Sequence, residues 1–267
     1  MADHSGMRLG KNAPRHEIRT LQMAQYLRPE VLPALPESQE WYDKVGTWPM
    51  MMNDRLGDCT CAAAGHFIEE WTAYAGNKVI LSDDEIVAGY SAITGYDART
   101  GTNDNGAVEL DVLKYWKNTG FAGHRIAAFV ALEPGSLDHI RASVFLFGGC
   151  YIGVALPVSA QTQGVWAVPP CGLSGRGAPG SWGGHAVPVV GYDAHGVTVV
   201  TWGALKRMTW GFWQAYCDEA YAVLSPDWVS ATNPAVNGFD LDQLDEDLLA
   251  VAGAGLSKPL ASACREG

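Results

Sequence analysis

Residues 53–76 read NDRLGDCTCAAAGHFIEEWTAYAG, and the reading of this stretch decides the fold. From Cys59 onward it consists of good helix formers, with Ala63, Phe67, Trp71 and Tyr74 three or four residues apart on one helix face. Gly76 stops it. A helix that begins at Cys59 holds a thiol in its first turn, where unsatisfied backbone amides carry partial positive charge and favour the thiolate. A lone helix cysteine is more often a small buried apolar side chain, so a nucleophile here needs a base from elsewhere in the chain.

His185 suits that role. It opens the apolar run HAVPVVGYD directly after a Gly- and Pro-rich loop, Gln163 to Gly184, a position that can face a cleft. That run and GVTVVTW, joined by Ala194-His195 with Gly196 at the turn, read as a hairpin. Between the two candidates, Ser82-Asp83-Asp84-Glu85 fits a capping box, and helices follow at 107–118 and 136–147. Cys150 to Leu156 reads as a buried strand, and Ala220 to Leu224 can add another. A helical first part and an antiparallel second part make an α+β fold.

The first fifty residues read as an extended segment laid over a core, with Leu32-Pro33-Ala34-Leu35-Pro36 leading into Trp41 and Tyr42 and a short helix near Glu17 to Tyr26. Residues 239–253, FDLDQLDEDLLAVAG, read as a small acidic helix before a loose tail. Trp210, Phe212, Trp213 and Tyr216 read as packing or a partner surface. Cys61 reads as a core residue; His66 and His195 read as a helix-face and a turn residue rather than ligands.

Among 267 residues no apolar run reaches the ~18 needed to span a bilayer, and the N-terminus lacks an apolar signal core, so a cytoplasmic location without membrane contact is expected. A formal charge of −11 argues against a nucleic-acid partner. Six scattered cysteines are expected to be mostly free thiols and form no CxxC zinc knuckles, so neither metal nor cofactor is expected.

Asn53-Asp54-Arg55-Leu56-Gly57-Asp58-Cys59-Thr60 resembles the stretch around the nucleophile of papain-family peptidases, as in a divergent bacterial or phage-type member. Gly184-His185-Ala186-Val187-Pro188-Val189-Val190-Gly191-Tyr192 is similar to the family's His-Ala-Val strand, Thr201-Trp202-Gly203 to its Asn-Ser-Trp-Gly turn, and Leu35-Pro36-Glu37-Ser38 before Trp41 to the start of its mature enzyme. The resemblance implies a two-lobe papain-like domain over 35–228, an N-terminal extension over 1–34, and an acidic helix and tail over 229–267.

It also implies roles. Cys59 attacks the carbonyl of a peptide or protein substrate, His185 pairs with it and protonates the leaving amine, and Asn53 donates to the oxyanion. Thr201 orients the imidazole in preference to Val200, because only one of them faces His185 and only Thr201 accepts a hydrogen bond. Trp202 shields that bond or is a buried tryptophan at a strand end without a function, and Trp182 lines the cleft or closes the loop. Against the family pattern, Asp58 adds a negative charge beside the thiol, Leu56 replaces a disulfide cysteine, Asn53 is a methylene shorter than glutamine, Thr201 stands for asparagine, and no inhibitory pro-segment precedes Leu35. The implied function is a cysteine peptidase or amidase working through a thioester. The alternatives are an inactive binding module, with the Trp-rich or acidic C-terminal surface meeting a protein partner, and an acyl transferase or deamidase using the same thiol.

Overall fold

The structure, a computed structural model, describes residues 3–17, 20–27, 34–228 and 246. The Ala-rich stretch forms α1 (Cys59–Tyr74), buried along nearly its whole length. Beside it lie α2 (Asp83–Thr94) and α3 (Glu109–Asn118). The capping box is present in full: Ser82 Oγ accepts from the Glu85 amide, and the Glu85 carboxylate accepts from the Ser82 amide. Phe67 and Trp71 stack at 4.9 Å, and Trp71 and Trp116 at 5.5 Å, forming the aromatic centre of this helical lobe.

The second lobe is an eight-stranded sheet. Its strands are β1 (Gln39–Glu40), β2 (Ala128–Ala131), β3 (Cys150–Leu156), β4 (Val165–Trp166), β5 (Gly183–Asp193), β6 (Gly196–Thr201), β7 (Ala204–Thr209) and β8 (Cys217–Leu224). The order is β2-β8-β3-β5-β6-β7-β4, with β1 added on β5. Only β4 pairs in parallel, with β7; the other pairs are antiparallel. All but one residue of β3 is buried, which is why its sequence is a continuous apolar run without alternation. α4 (Leu137–Phe147) starts on its Ser136 cap and ends at left-handed Gly148, and α5 (Trp210–Tyr216) packs on the sheet.

Each lobe has its own core, and α1 lies against β5, which brings the start of the helix beside the start of the strand. The predicted α+β arrangement, the helices other than the one expected near Glu17 to Tyr26, and the hairpin are present. Four strands come in addition: β1, β2, β4 and β7. Between residues 20 and 27 there is a 3-10 turn at Met23–Gln25. Phe212, Trp213 and Tyr216 are core residues, which matches the packing alternative. Cys59, Cys61, Cys150, Cys171 and Cys217 are free thiols. The predicted acidic helix at 239–253 falls, apart from Glu246, outside the described residues. No described helix is long and apolar enough to cross a membrane.

Candidate active site

Cys59 is the first residue of α1 and is 1% exposed. Its sulfur accepts a hydrogen bond from the Ala186 amide at 3.4 Å, and the Gly10 amide also bears on it. Burial pushes the thiol up to about 12, only partly offset by those two amides. Burial therefore opposes the thiolate that the helix start favours.

His185, on β5, hydrogen-bonds through Nε2 to Thr201 Oγ1 at 2.7 Å. Its Nδ1 is buried with no hydrogen-bond partner among the described residues, so no hydrogen bond joins it to Cys59, whose sulfur instead meets the next residue's amide. Burial lowers the imidazole to about 3. Trp202 stacks on the ring at 4.7 Å with an interplanar angle of 18°. The β6–β7 turn is only Trp202-Gly203, with φ of 47° and 71°, the positive-φ pair of a tight hairpin. For a tryptophan that conformation is strained, and here it lays the indole over the imidazole. Val200 points the other way, into a small cluster with Val45, Trp48 and Val190.

Asn53 is buried near the thiol, but its amide donates to Asp58 Oδ1 at 3.4 Å instead of standing unengaged for an oxyanion. Asp58 acts on Cys59 in the expected direction, raising the thiol, but less than burial does. Its carboxyl is fully buried, and desolvation holds it well above the ordinary carboxylate range, so its charge is a lesser influence on Cys59 than burial. Trp182 packs 5.5 Å from Trp202, closing the loop onto the sheet side of the site. Cys61 is fully buried in the helical core, His66 is buried with Nε2 on Pro49 O at 2.9 Å, and His195 sits in its turn. No described group of His, Cys, Asp and Glu could hold a metal ion.

The N-terminal segment lies over the site. Read from the sequence as part of an extended segment laid over a core, residues 3–17 do run as a strap through the seam between the lobes. Lys11 N–H donates to Gly184 O at 3.1 Å, Asn12 N–H to Ala107 O at 2.9 Å, and Ala107 N–H to Gly10 O at 2.8 Å. Gly10 lies so close to the loop before Cys59 that a Cβ there would meet Gly57 O at 1.8 Å. The His4 ring stacks on Trp202 at 4.8 Å. Cys59 and His185 are each 1% exposed beneath this segment, the helical core and Trp202. Sequence reasoning did not find Gly10, Lys11 or the Ala186 amide. Their contacts are mostly backbone contacts, and backbone pairing leaves no residue signature.

Compared by sequence, the chain matches no protein-family model and no curated protein. Compared by structure, it is similar to xylellain, a cysteine protease from Xylella fastidiosa, with a TM-score of 0.63 and 15% identity over 84% of this chain and 98% of that one. It is similar to procathepsin B S9 from Trypanosoma congolense, at 0.55 and 14% over 83% and 88%. The digestive procathepsin L 3 of Tenebrio molitor larval midgut gives 0.54 and 13% over 83% and 77%. Likeness at such identities carries the fold and nothing finer: this chain has the papain-like fold of cysteine proteases.

Proposed function

We propose that the chain is a cysteine-dependent hydrolase of peptide or amide bonds, held closed by its own N-terminal strap. The observation that carries this reading is the His185 ring, fixed at Nε2 by Thr201 under Trp202, with Nδ1 unpartnered and the neighbouring Ala186 amide on the Cys59 sulfur. With Nε2–H donating to Thr201 Oγ1, Nδ1 keeps its lone pair for the thiol proton. In the strapped state both groups are neutral, as burial dictates.

Once the strap leaves and the site is wetted, the thiol proton passes to His185 Nδ1 and the sulfur attacks a carbonyl carbon. The imidazolium then protonates the departing amine, and water, deprotonated by His185, cleaves the thioester. The Cys59 backbone amide receives the oxyanion, joined by the Asn53 side chain once it leaves Asp58.

A second reading, a non-catalytic binding module, draws on the Asn53–Asp58 bond and the raised Cys59 thiol. The test is labelling of the folded full chain with a peptidyl epoxide at several pH values, followed by peptide mapping. Labelling confined to Cys59 and lowered about 100-fold by His185→Ala supports the hydrolase. A Cys59 that reacts no faster than an ordinary thiol even after the strap is displaced, or labelling at Cys61, supports the binding module.

A further inference from the structure

Lys11 sends its side chain out of the strap into a pocket of the sheet lobe. Its ammonium is buried, with 1% of the side chain exposed, and lies 2.9 Å from Glu219 Oε1 and 3.0 Å from Asp218. It also donates to Asn12 O at 3.3 Å. Glu109, at the start of α3, is fully buried with neither carboxylate oxygen hydrogen-bonded, and it too acts on the Lys11 charge. Burial disfavours the ammonium, but Glu109, Glu219 and Asp218 outweigh it and hold the lysine above its ordinary value.

The pocket is shaped for a long side chain. On β3 the residue facing it is Gly153, where a Cβ would meet Lys11 Cε at 1.9 Å, so glycine alone leaves room for the aliphatic stem. Gly153 pairs with Glu219 on β8 and precedes Val154, the partner of His185 on β5. The pocket therefore opens one strand away from the imidazole. Asp218 and Glu219 also line an adjoining cavity of about 420 Å³ with His16 and His139, so the acidic wall continues beyond the lysine. Glu219 is 4% exposed, and an apolar side chain in the place of Lys11 would leave this buried carboxylate without its cation, which is unfavourable.

We propose that the pocket formed by Glu109, Asp218, Glu219 and Gly153 is a recognition subsite for a basic side chain, filled in the closed state by Lys11. The ligands of the groove are thus peptides carrying a lysine or arginine where the strap carries Lys11. This deepens the hydrolase reading by naming its substrate class, and rests on that reading only for the groove being the substrate groove.

The test uses no thiol chemistry, so it stands or falls apart from the role of Cys59. In the full chain bearing Cys59→Ala, Lys11→Ala and Gly10→Val, the bulky residue at 10 cannot pass Gly57 and displaces the strap. Binding of a fluorescein-labelled peptide of the strap sequence MRLGKNA, with lysine, arginine or norleucine at the fifth position, is followed by anisotropy. The lysine and arginine peptides are expected to bind at least about tenfold more tightly than norleucine, and Glu219→Gln to erase most of that preference. A second measurement needs no variant. An excess of the lysine peptide over the wild-type chain is expected to speed acetylation of Lys11 severalfold, and the norleucine peptide is not. Equal binding of all three peptides, no binding, or a preference that survives Glu219→Gln overturns the proposal.

Discussion

His185 Nε2 and Thr201 Oγ1 face each other at 2.7 Å between neighbouring strands β5 and β6. Strand alternation sends Val200 to the opposite face, so a single hydroxyl fixes the ring. Thr201→Val keeps the shape and removes the acceptor. Cys59 labelling in a strap-displaced chain is expected to slow about tenfold or more, and Thr201→Asn to recover it. Unchanged labelling in the valine variant would remove Thr201 from the orienting role.

Strap displacement alone makes a second prediction. Gly10→Val in the otherwise native full chain is expected to raise the rate of Cys59 alkylation by iodoacetamide at least about tenfold at pH 7, because solvent returns to a thiol that burial holds at about 12. Peptide mapping checks that Cys61, at 0% exposure inside the helical core, stays unlabelled.

Acid lability follows from two buried imidazoles. Burial lowers His66 to about 4 and His185 to about 3, whereas the unfolded chain takes up these protons near the ordinary histidine value of 6.5. Between those limits the native state binds fewer protons than the unfolded one, so these groups remove stability as pH falls from about 6.5 through about 4. Asp58, Glu70 and Glu109, raised by burial, act in the opposite direction. His66→Gln retains a donor for Pro49 O without the titration. Urea midpoints from pH 7 to pH 4 are expected to show the wild type losing on the order of 3 kcal/mol more than this variant.

The helical lobe depends on its stacked aromatics. Trp116→Ala opens a cavity beside Trp71 and Phe67 and is expected to cost about 3–5 kcal/mol in urea unfolding, without altering the Thr201–His185 bond.

The sequence shows these elements unevenly, for physical reasons. α1 and the β5–β6 hairpin are legible because each buries a periodic apolar face bounded by glycine. Thr201 is legible because alternation leaves one residue of two. β7 is not: Lys206 and Arg207 interrupt its apolar pattern, Lys206 reaching Gln163 O and Arg207 bonding Asp193. Lys11 and Glu219 lie at opposite ends of the described chain, and nothing local at either residue announces the other. Gly153 is the trace their meeting leaves in the sequence, a missing side chain in an otherwise apolar run.

The two-residue turn at Trp202-Gly203 makes the end of this hairpin behave as a cassette. Thr201 and Trp202 are consecutive, and their directions are set by one tight bend, so orienting group and aromatic cover are presented as a unit. A single inserted residue would exchange the faces of the strand and turn both away from His185 together. Tuning the imidazole through one of the pair alone is possible only by side-chain replacement, and a graft of this site onto another sheet must carry the whole bend.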